Sequence, residues 1–195
     1  WIHRAKDAGA VVIVADPRMT HTSWMADVFL QLKPGTDVAL LNGMAHVIIK
    51  EGLMDRDYIA QRTRGFEDLR ESVKDYTPEK VAEITGVAAA TIVQAARSYA
   101  MSPASSILYS MGITQHSTGT DNVQAISNLA LICGHMGKPG TGVMPLRGQN
   151  NVQGACDMGA LAEFYPGYKK ADDPETIKYF SSAWAAATSQ GWAGI

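Results

Sequence analysis

A continuous apolar run near the start of the chain, residues 10–15, most constrains the fold that this sequence can adopt. The run is rich in β-branched residues and does not alternate with polar ones, which is typical of a strand buried on both faces. Asp16-Pro17-Arg18 ends it, and a second short strand is predicted over residues 28–32, before the break at Lys33-Pro34-Gly35. A helix follows from residue 36 or 37 to residue 50, with apolar residues at helical spacing.

The same order of elements returns further along the chain, with a strand over residues 106–110, a loop over 111–120 and a helix over 121–133. Repeated strand–loop–helix units predict an α/β fold, with a Rossmann-like, mostly parallel sheet flanked by helices. The stretch between the two units predicts a helical insert that packs and has no chemical role. Its helices are expected over residues 55–62, 65–76, 78–84 and 88–101, and one more helix is expected over residues 174–188.

Composition excludes several classes of protein. Lys and Arg number 17 against 19 Asp and Glu, a net charge of −2, so the basic excess typical of nucleic-acid binders is missing. The longest apolar stretch, residues 8–15, is far shorter than the roughly 20 residues that span a bilayer. Cys133 and Cys156 form no CxxC pair, which argues against a disulfide framework and a structural zinc site. We therefore expect no nucleic-acid partner and no direct membrane insertion.

Three segments are predicted to meet where ligands bind in α/β sheets, beyond the carboxyl ends of the strands. They are Asp16-Pro17-Arg18, residues 33–37 and residues 111–115. An acid at a strand end accepts hydrogen bonds from ribose or a guanine edge, and a Gly-Thr pair that opens a helix offers backbone N–H groups to phosphate. Each segment taken alone is more often an ordinary turn, and the chain has no GxGxxG motif to indicate a nicotinamide dinucleotide.

The segment 142–154 is the strongest candidate for a binding loop. Residues 134–159 hold 7 glycines in 26 positions, against 18 in the 195 residues of the chain, so the backbone here can approach a ligand closely. Arg147 is the single charged residue of the segment, among Gln149, Gln153 and two asparagines. Its guanidinium suits a carboxylate or phosphate. A surface loop with glycine turns remains an equal alternative. His116 is the histidine of interest, because it lies in the other candidate loop.

Four runs of sequence resemble a known family. They are Ala15-Asp16-Pro17-Arg18, residues 30–40 (LQLKPGTDVAL), residues 109–116 (YSMGITQH) and residues 137–158, which include RGQNNVQGACDM. Together they are similar to the large subunit of molybdenum- or tungsten-dependent formate dehydrogenases. These enzymes belong to the dimethyl-sulfoxide-reductase group of molybdopterin oxidoreductases. The resemblance extends from about Ala5 to Tyr168, and the run from Arg147 onward is typical of the formate dehydrogenase branch.

The resemblance implies a bis(molybdopterin guanine dinucleotide) cofactor that carries Mo or W. By position in the motifs, residues near one guanine-nucleotide arm are expected to be Asp16, Arg18, Gly35 and Asp37. Residues under the pterin are expected to be Met111, Gly112 and Gln115. Arg147 is expected to orient formate beside the metal, with Gln149 helping in the same place. Cys133 and Cys156 do not match the family's Cys or selenocysteine ligand, so no metal ligand is expected in this chain.

The resemblance also predicts how the chain is organised and what it does. Residues 1–168 are expected to form the central cofactor-binding domain of a longer subunit, and residues 169–195 a helical extension toward the next domain. The implied activity is oxidation of formate to carbon dioxide. The electrons are expected to pass to an iron–sulfur cluster whose cysteine ligands lie upstream of this chain. The implied partners are formate, the remaining domains of the subunit and iron–sulfur electron-transfer subunits. The 195 residues alone are expected to be inactive. Another molybdopterin oxidoreductase, such as a nitrate reductase, and a non-catalytic nucleotide-binding module remain the alternatives.

Overall fold

The computed structural model describes residues 1–185, and the chain divides into two compact units at residues 145 and 146. The structure confirms the predicted α/β class, because helices alternate with strands that pair in parallel. The predicted domain boundary at residue 168 stays a prediction. The tail of the predicted helix 174–188, residues 186–188, lies outside the described residues.

Two parallel strand pairs form the sheet framework of the first unit. Strand β1 (Ile13–Ala15) pairs with β2 (Val28–Leu30), and β3 (Ser106–Tyr109) pairs with β4 (Gly142–Pro145). Within residues 1–185 each pair is a separate two-stranded sheet. Parallel strands place their carboxyl ends at the same edge, so the segments that follow β1 and β2 leave the sheet side by side.

The expectation that residues 10–15 form a strand buried on both faces is wrong. Strand β1 is only three residues long and half-exposed, and the preceding Val11 is 61% exposed. Pairing between β1 and β2 begins only at Ile13, because the backbone N–H of Val12 donates to the Asp27 carboxylate. The same carboxylate forms an ion pair with Lys6. Among the described residues β1 has a strand neighbour on one side only.

Most helices of the first unit lie where the sequence predicts them. Two of their caps follow the expected chemistry: Asp55 accepts the N–H of Tyr58, and Thr77 precedes a proline at the first helical position. The helices are α1 (Ile2–Asp7), α2 (Asp37–Lys50), α3 (Arg56–Arg62), α4 (Phe66–Val73), α5 (Pro78–Thr85), α6 (Ala89–Met101), α7 (Met111–Thr114) and α8 (Gly119–Ile132).

The core of the first unit lies where α2, α5, α6 and α8 meet under β2. Several of its side chains are 0–1% exposed, which shows that the predicted helical insert is an integral part of the core: Leu30, Ile48, Val73, Val81, Ile92, Ala96 and Leu129. The glycine inside α2 has a packing role. A Cβ atom at Gly43 would lie 2.8 Å from Cγ2 of Val81, so this glycine lets α5 approach α2 closely.

The second unit, from residue 146, holds short elements. Helix α9 (Val152–Asp157) is followed by the antiparallel strands β5 (Phe164–Tyr165) and β6 (Lys169–Lys170), and then by α10 (Pro174–Ala183). Asp173 caps α10, and Tyr165 stacks on Phe180 with ring centroids 4.7 Å apart. None of the helices within residues 1–185 combines the length and the apolar character that a bilayer span requires.

Candidate functional site

The segments after β1 and β2 meet at one edge of the parallel pair, as the strand order predicts. The backbone N–H of Asp16 donates to the carbonyl of Leu30 over 3.2 Å, and Nε2 of Gln31 donates to the carbonyl of Pro17 over 3.1 Å. These bonds hold the Asp-Pro-Arg turn against the chain that leads to α2. Two of the three strand-end segments predicted as a ligand site are therefore neighbours.

Asp16 organises its own turn. Its Oδ1 atom accepts the backbone N–H of Arg18 over 2.7 Å, which is the side-chain-to-backbone bond of an Asx turn. Asp16 is half-buried, whereas Arg18 is exposed. The turn therefore fixes the carboxylate and leaves the guanidinium in solvent, where it can contact an anionic ligand.

The start of α2 leaves room and backbone donors for a ligand. Gly35 has φ +78°, a conformation that favours glycine, and no atom lies within 4 Å of the position that a Cβ would take. The Thr36 hydroxyl donates to the carbonyl of Lys33 over 2.6 Å and does not cap the helix. Asp37, half-buried, occupies the first turn. The helix end is thus open to an anion, which the helix dipole attracts.

The segment predicted as a loop under the pterin, residues 111–120, is in part helical. Met111–Thr114 form the single turn of α7, and α8 begins at Gly119, two residues before the predicted start. The chain turns sharply here, since a Cβ atom at Gly119 would overlap the carbonyl oxygen of Thr114. The loop prediction was wrong because a turn this short carries no hydrophobic periodicity.

Two side chains of this turn bond to atoms of the turn itself, and a buried side chain of α8 bonds to its backbone. Nε2 of Gln115 donates to Sδ of Met111 over 3.4 Å, and Nε2 of His116 lies 2.9 Å from the carbonyl of Gly112. Asn122, which is 1% exposed, donates from Nδ2 to the carbonyl of Ile113 over 2.8 Å. Met111, Gly112 and Gln115 remain exposed on the outside of a turn that a buried amide supports. His116 acts as a local cap.

Arg147 lies at the start of the second unit, two residues after the end of β4, and it is exposed. Nε and Nη2 both donate to Oε1 of Gln153, over 3.1 and 2.6 Å. Gln149 is exposed in the turn between them. The segment 142–154, predicted as one loop, contains β4 at its start and the first residues of α9 at its end.

The contact between Arg147 and Gln153 belongs to a larger polar network. Nε2 of Gln153 donates to Oδ1 of Asp157 over 3.0 Å and to the hydroxyl of Tyr168 over 3.2 Å. A hydrogen bond to Asp157 raises the pKa of the Tyr168 hydroxyl. The choice of Gln149 from the sequence overlooked Gln153. The spacing of Gln153 and Asp157, four residues apart on one helix face, is the signal that could have found it.

Cys133 and the two buried histidines have structural surroundings. Cys133 is buried, and burial raises the pKa of its thiol to about 12, which keeps it protonated. His135 bonds the carbonyl of Tyr99 over 3.0 Å, and Nδ1 of His46 bonds that of Val73 over 3.0 Å. Within residues 1–185 there is no group of three or more His, Cys, Asp or Glu residues that could hold a metal ion.

Comparison with known proteins adds a family to this geometry. The sequence profile of the molybdopterin oxidoreductase family matches residues 1–190. The alpha subunit of an F420-dependent formate dehydrogenase from Methanocaldococcus jannaschii is 54% identical over 94% of the chain, and formate dehydrogenase H from Escherichia coli is 52% identical over 92%. The chain spans about a quarter of these relatives, 27% and 25% of their lengths.

More distant relatives carry other names. An assimilatory nitrate reductase catalytic subunit from Bacillus subtilis is 38% identical over 94% of the chain and is covered over 26% of its own length. Among solved structures, acetylene hydratase from Pelobacter acetylenicus matches with a TM-score of 0.68 and 38% identity, over 71% of this chain and 19% of that chain.

Proposed function

The chain belongs to the molybdopterin oxidoreductase family, and we propose that it forms a central part of the catalytic subunit of a formate dehydrogenase. The difference in similarity carries the proposal. Over 94% of the chain in each case, identity is 54% to a formate dehydrogenase alpha subunit and 38% to a nitrate reductase. The nitrate reductase alternative is therefore not favoured.

The substrate in this proposal is formate, and Arg147 binds it. A guanidinium holds a carboxylate by two charge-assisted hydrogen bonds, and no other charge competes for it between residues 142 and 154. Gln149 lies two residues on and supplies an amide that can donate to the same carboxylate. Held in this way, the formate anion keeps one orientation while its carbon is oxidised, and the guanidinium balances the negative charge of the bound substrate.

The proposed cofactor is bis(molybdopterin guanine dinucleotide) with Mo or W, which supplies the two-electron redox chemistry when it is bound. The groups at the β1–β2 edge suit a guanine-nucleotide arm: the Asp16 carboxylate as an acceptor, the exposed Arg18 as a donor, the open space at Gly35 and the uncapped start of α2 at Asp37. Met111, Gly112 and Gln115 are the proposed contacts under the pterin.

The proposed partners follow from the same reading. Residues 1–168 act as the cofactor-binding part of a longer subunit, with residues 169–195 leading toward the next domain. Iron–sulfur subunits accept the electrons, and the Cys or selenocysteine ligand and the iron–sulfur cluster of the catalytic subunit come from sequence upstream of Trp1. For this reason the 195 residues alone are expected to show no turnover.

The decisive experiment compares the full-length parent protein with the 195-residue chain. We expect formate-dependent dye reduction by the parent and none by the chain alone. A parent that reduces nitrate and leaves formate untouched would overturn the proposal. In the parent, Arg147→Lys should lower kcat/KM for formate about a hundredfold and leave the melting temperature unchanged, because Lys cannot form the planar fork.

A second experiment tests the nucleotide arm on the 195-residue chain. Titration with a guanine nucleotide should saturate, and Asp37→Ala should abolish the binding. Asp121→Ala is the matched control, since Asp121 also lies in the first turn of a 14-residue helix, α8, outside the proposed nucleotide site. Equal loss of binding in both variants, or binding that never saturates, would count against a nucleotide site at Asp37.

A further inference from the structure

The guanidinium of Arg147 is held along one edge. Its Nε and Nη2 atoms form the side-on edge of the planar group, and both donate to the single acceptor Oε1 of Gln153, over 3.1 and 2.6 Å. The end-on edge, made by Nη1 and Nη2, points away from Gln153 because the group is rigid and planar. Gln153 therefore determines which edge of Arg147 faces a ligand.

The amide of Gln153 has one allowed orientation. Its Nε2 donates to Oδ1 of Asp157 over 3.0 Å and to the hydroxyl of Tyr168 over 3.2 Å. A flipped amide would direct its N–H groups at the guanidinium, which is also a donor, and its oxygen at a carboxylate, which is also an acceptor. Asp157 thus fixes the acceptor that Arg147 meets.

The network is itself tethered by the backbone. The N–H of Gly167 donates to the carbonyl of Asp157 over 2.8 Å, and Tyr168 has φ +58°. A tyrosine adopts this left-handed conformation only where its surroundings hold it. The hydroxyl of Tyr168 is therefore delivered to Gln153 and Asp157 by a fixed piece of chain, although all these side chains are exposed.

Gln153, the acceptor of the hydrogen bonds from Arg147, carries no charge, and this preserves the attraction of Arg147 for an anion. A carboxylate at position 153 would pair with the guanidinium and cancel its attraction for a second anion. The acid of the network, Asp157, bonds Gln153 instead of Arg147. The neutral amide of Gln153 fixes the orientation of the guanidinium and leaves its positive charge available to an anionic ligand.

We propose that Gln153, oriented by Asp157 and Tyr168, is a positioning residue: it fixes the side-on edge of Arg147 without neutralising it, so that the end-on edge binds a one-carbon carboxylate. The identity of that carboxylate as formate rests on the proposed function. The positioning itself rests on the hydrogen bonds of residues 147–168.

The first test follows the Nε proton of Arg147 by NMR in the 195-residue chain, with its signal assigned by its loss in Arg147→Lys. Gln153→Leu should speed exchange of this proton with water about tenfold, the effect expected for loss of one net hydrogen bond. Gln124→Glu, an exposed glutamine on α8, serves as the control and should leave the rate unchanged. An unchanged rate in Gln153→Leu would overturn the positioning role, whatever the substrate is.

The second test uses the full-length parent and a variant of nearly equal size. Gln153→Glu should raise the KM for formate about tenfold, with a smaller change in kcat, because it retains the acceptor and neutralises Arg147. The inhibition constant of azide, a monoanion of similar size, should rise in parallel, and Gln124→Glu should change neither value. A variant with unaltered KM and azide inhibition would overturn the proposal.

The two tests separate the two ideas. A wild-type parent that fails to oxidise formate rejects the proposed function and the formate part of this inference, whereas the proton exchange of Arg147 still decides whether Gln153 positions it. A parent that oxidises formate with Gln153→Leu as active as the wild type, at equal KM and kcat, rejects the positioning role alone.

Discussion

Replacing Gly43 by alanine is expected to destabilise the first unit, although alanine is the better helix former. A Cβ atom at position 43 would lie 2.8 Å from Cγ2 and 3.1 Å from Cγ1 of Val81. Val81 is 0% exposed, and a valine on a helix has one strongly preferred rotamer, so it cannot turn aside. Helices α2 and α5 must therefore separate, and the strain spreads into the buried surface around them.

The magnitude follows from two opposing effects. Alanine in place of glycine within a helix gains about 1 kcal/mol. Insertion of a methyl group into a filled core costs about 1–3 kcal/mol, and the stiffness of Val81 favours the middle of that range. We expect a net loss of about 1 kcal/mol in the free energy of unfolding, which urea denaturation followed by circular dichroism of the 195-residue chain measures.

A double-mutant cycle with Val81→Ala isolates the clash, because the two side chains would touch. The double variant should be more stable than the sum of the two single effects by about 1–2 kcal/mol. Gly112→Ala is the matched control, since Gly112 is also helical and no atom lies within 4 Å of its would-be Cβ. A Gly43→Ala variant as stable as Gly112→Ala, with an additive cycle, would refute the steric argument.

Two further predictions concern side chains of the first unit. Thr85 is 0% exposed, and its hydroxyl donates to the carbonyl of Val81 and accepts the N–H of Val87. Thr85→Val leaves that buried N–H without a partner, so it should lower the free energy of unfolding, measured by urea denaturation, by about 1–3 kcal/mol. An unchanged midpoint would contradict this. Arg97 donates two 2.8 Å bonds to Glu51 and lowers the pKa of that carboxyl from 4.5. The pair therefore adds stability above about pH 4.5 that is lost as pH falls through the lowered pKa. The difference in unfolding free energy between wild type and Glu51→Gln should shrink from pH 7 to pH 3, and a constant difference would exclude this linkage.

The helices were predictable from sequence because their signals are local. Proline at the first position of α5 and the apolar spacing of α2 gave bounds within one or two residues of the observed ones. Strands β1 and β4 were harder, because a strand's length depends on its partner. Asp27, eleven residues beyond Asp16, shortens β1 by bonding Val12, and no local pattern reports such a contact.

The candidate site was predictable to a similar extent. The order of strands was sufficient to bring the Asp16 turn and the Gln31 segment together, because parallel strands end at the same edge. The partner of Arg147 was not found, since Gln153 is one of four amides in the same stretch and only geometry distinguishes it. The family resemblance supplied roles for single residues that neither spacing nor composition carries.

The buried amide of Asn122 holds the Met111–Gln115 turn by a hydrogen bond to the main-chain carbonyl of Ile113. This hydrogen bond does not depend on which side chain stands in the turn, since every amino acid has the same main-chain carbonyl. The outward residues can be exchanged, by evolution or by design, while the scaffold beneath them stays intact. Chemistry at this surface is thereby separable from the integrity of the fold.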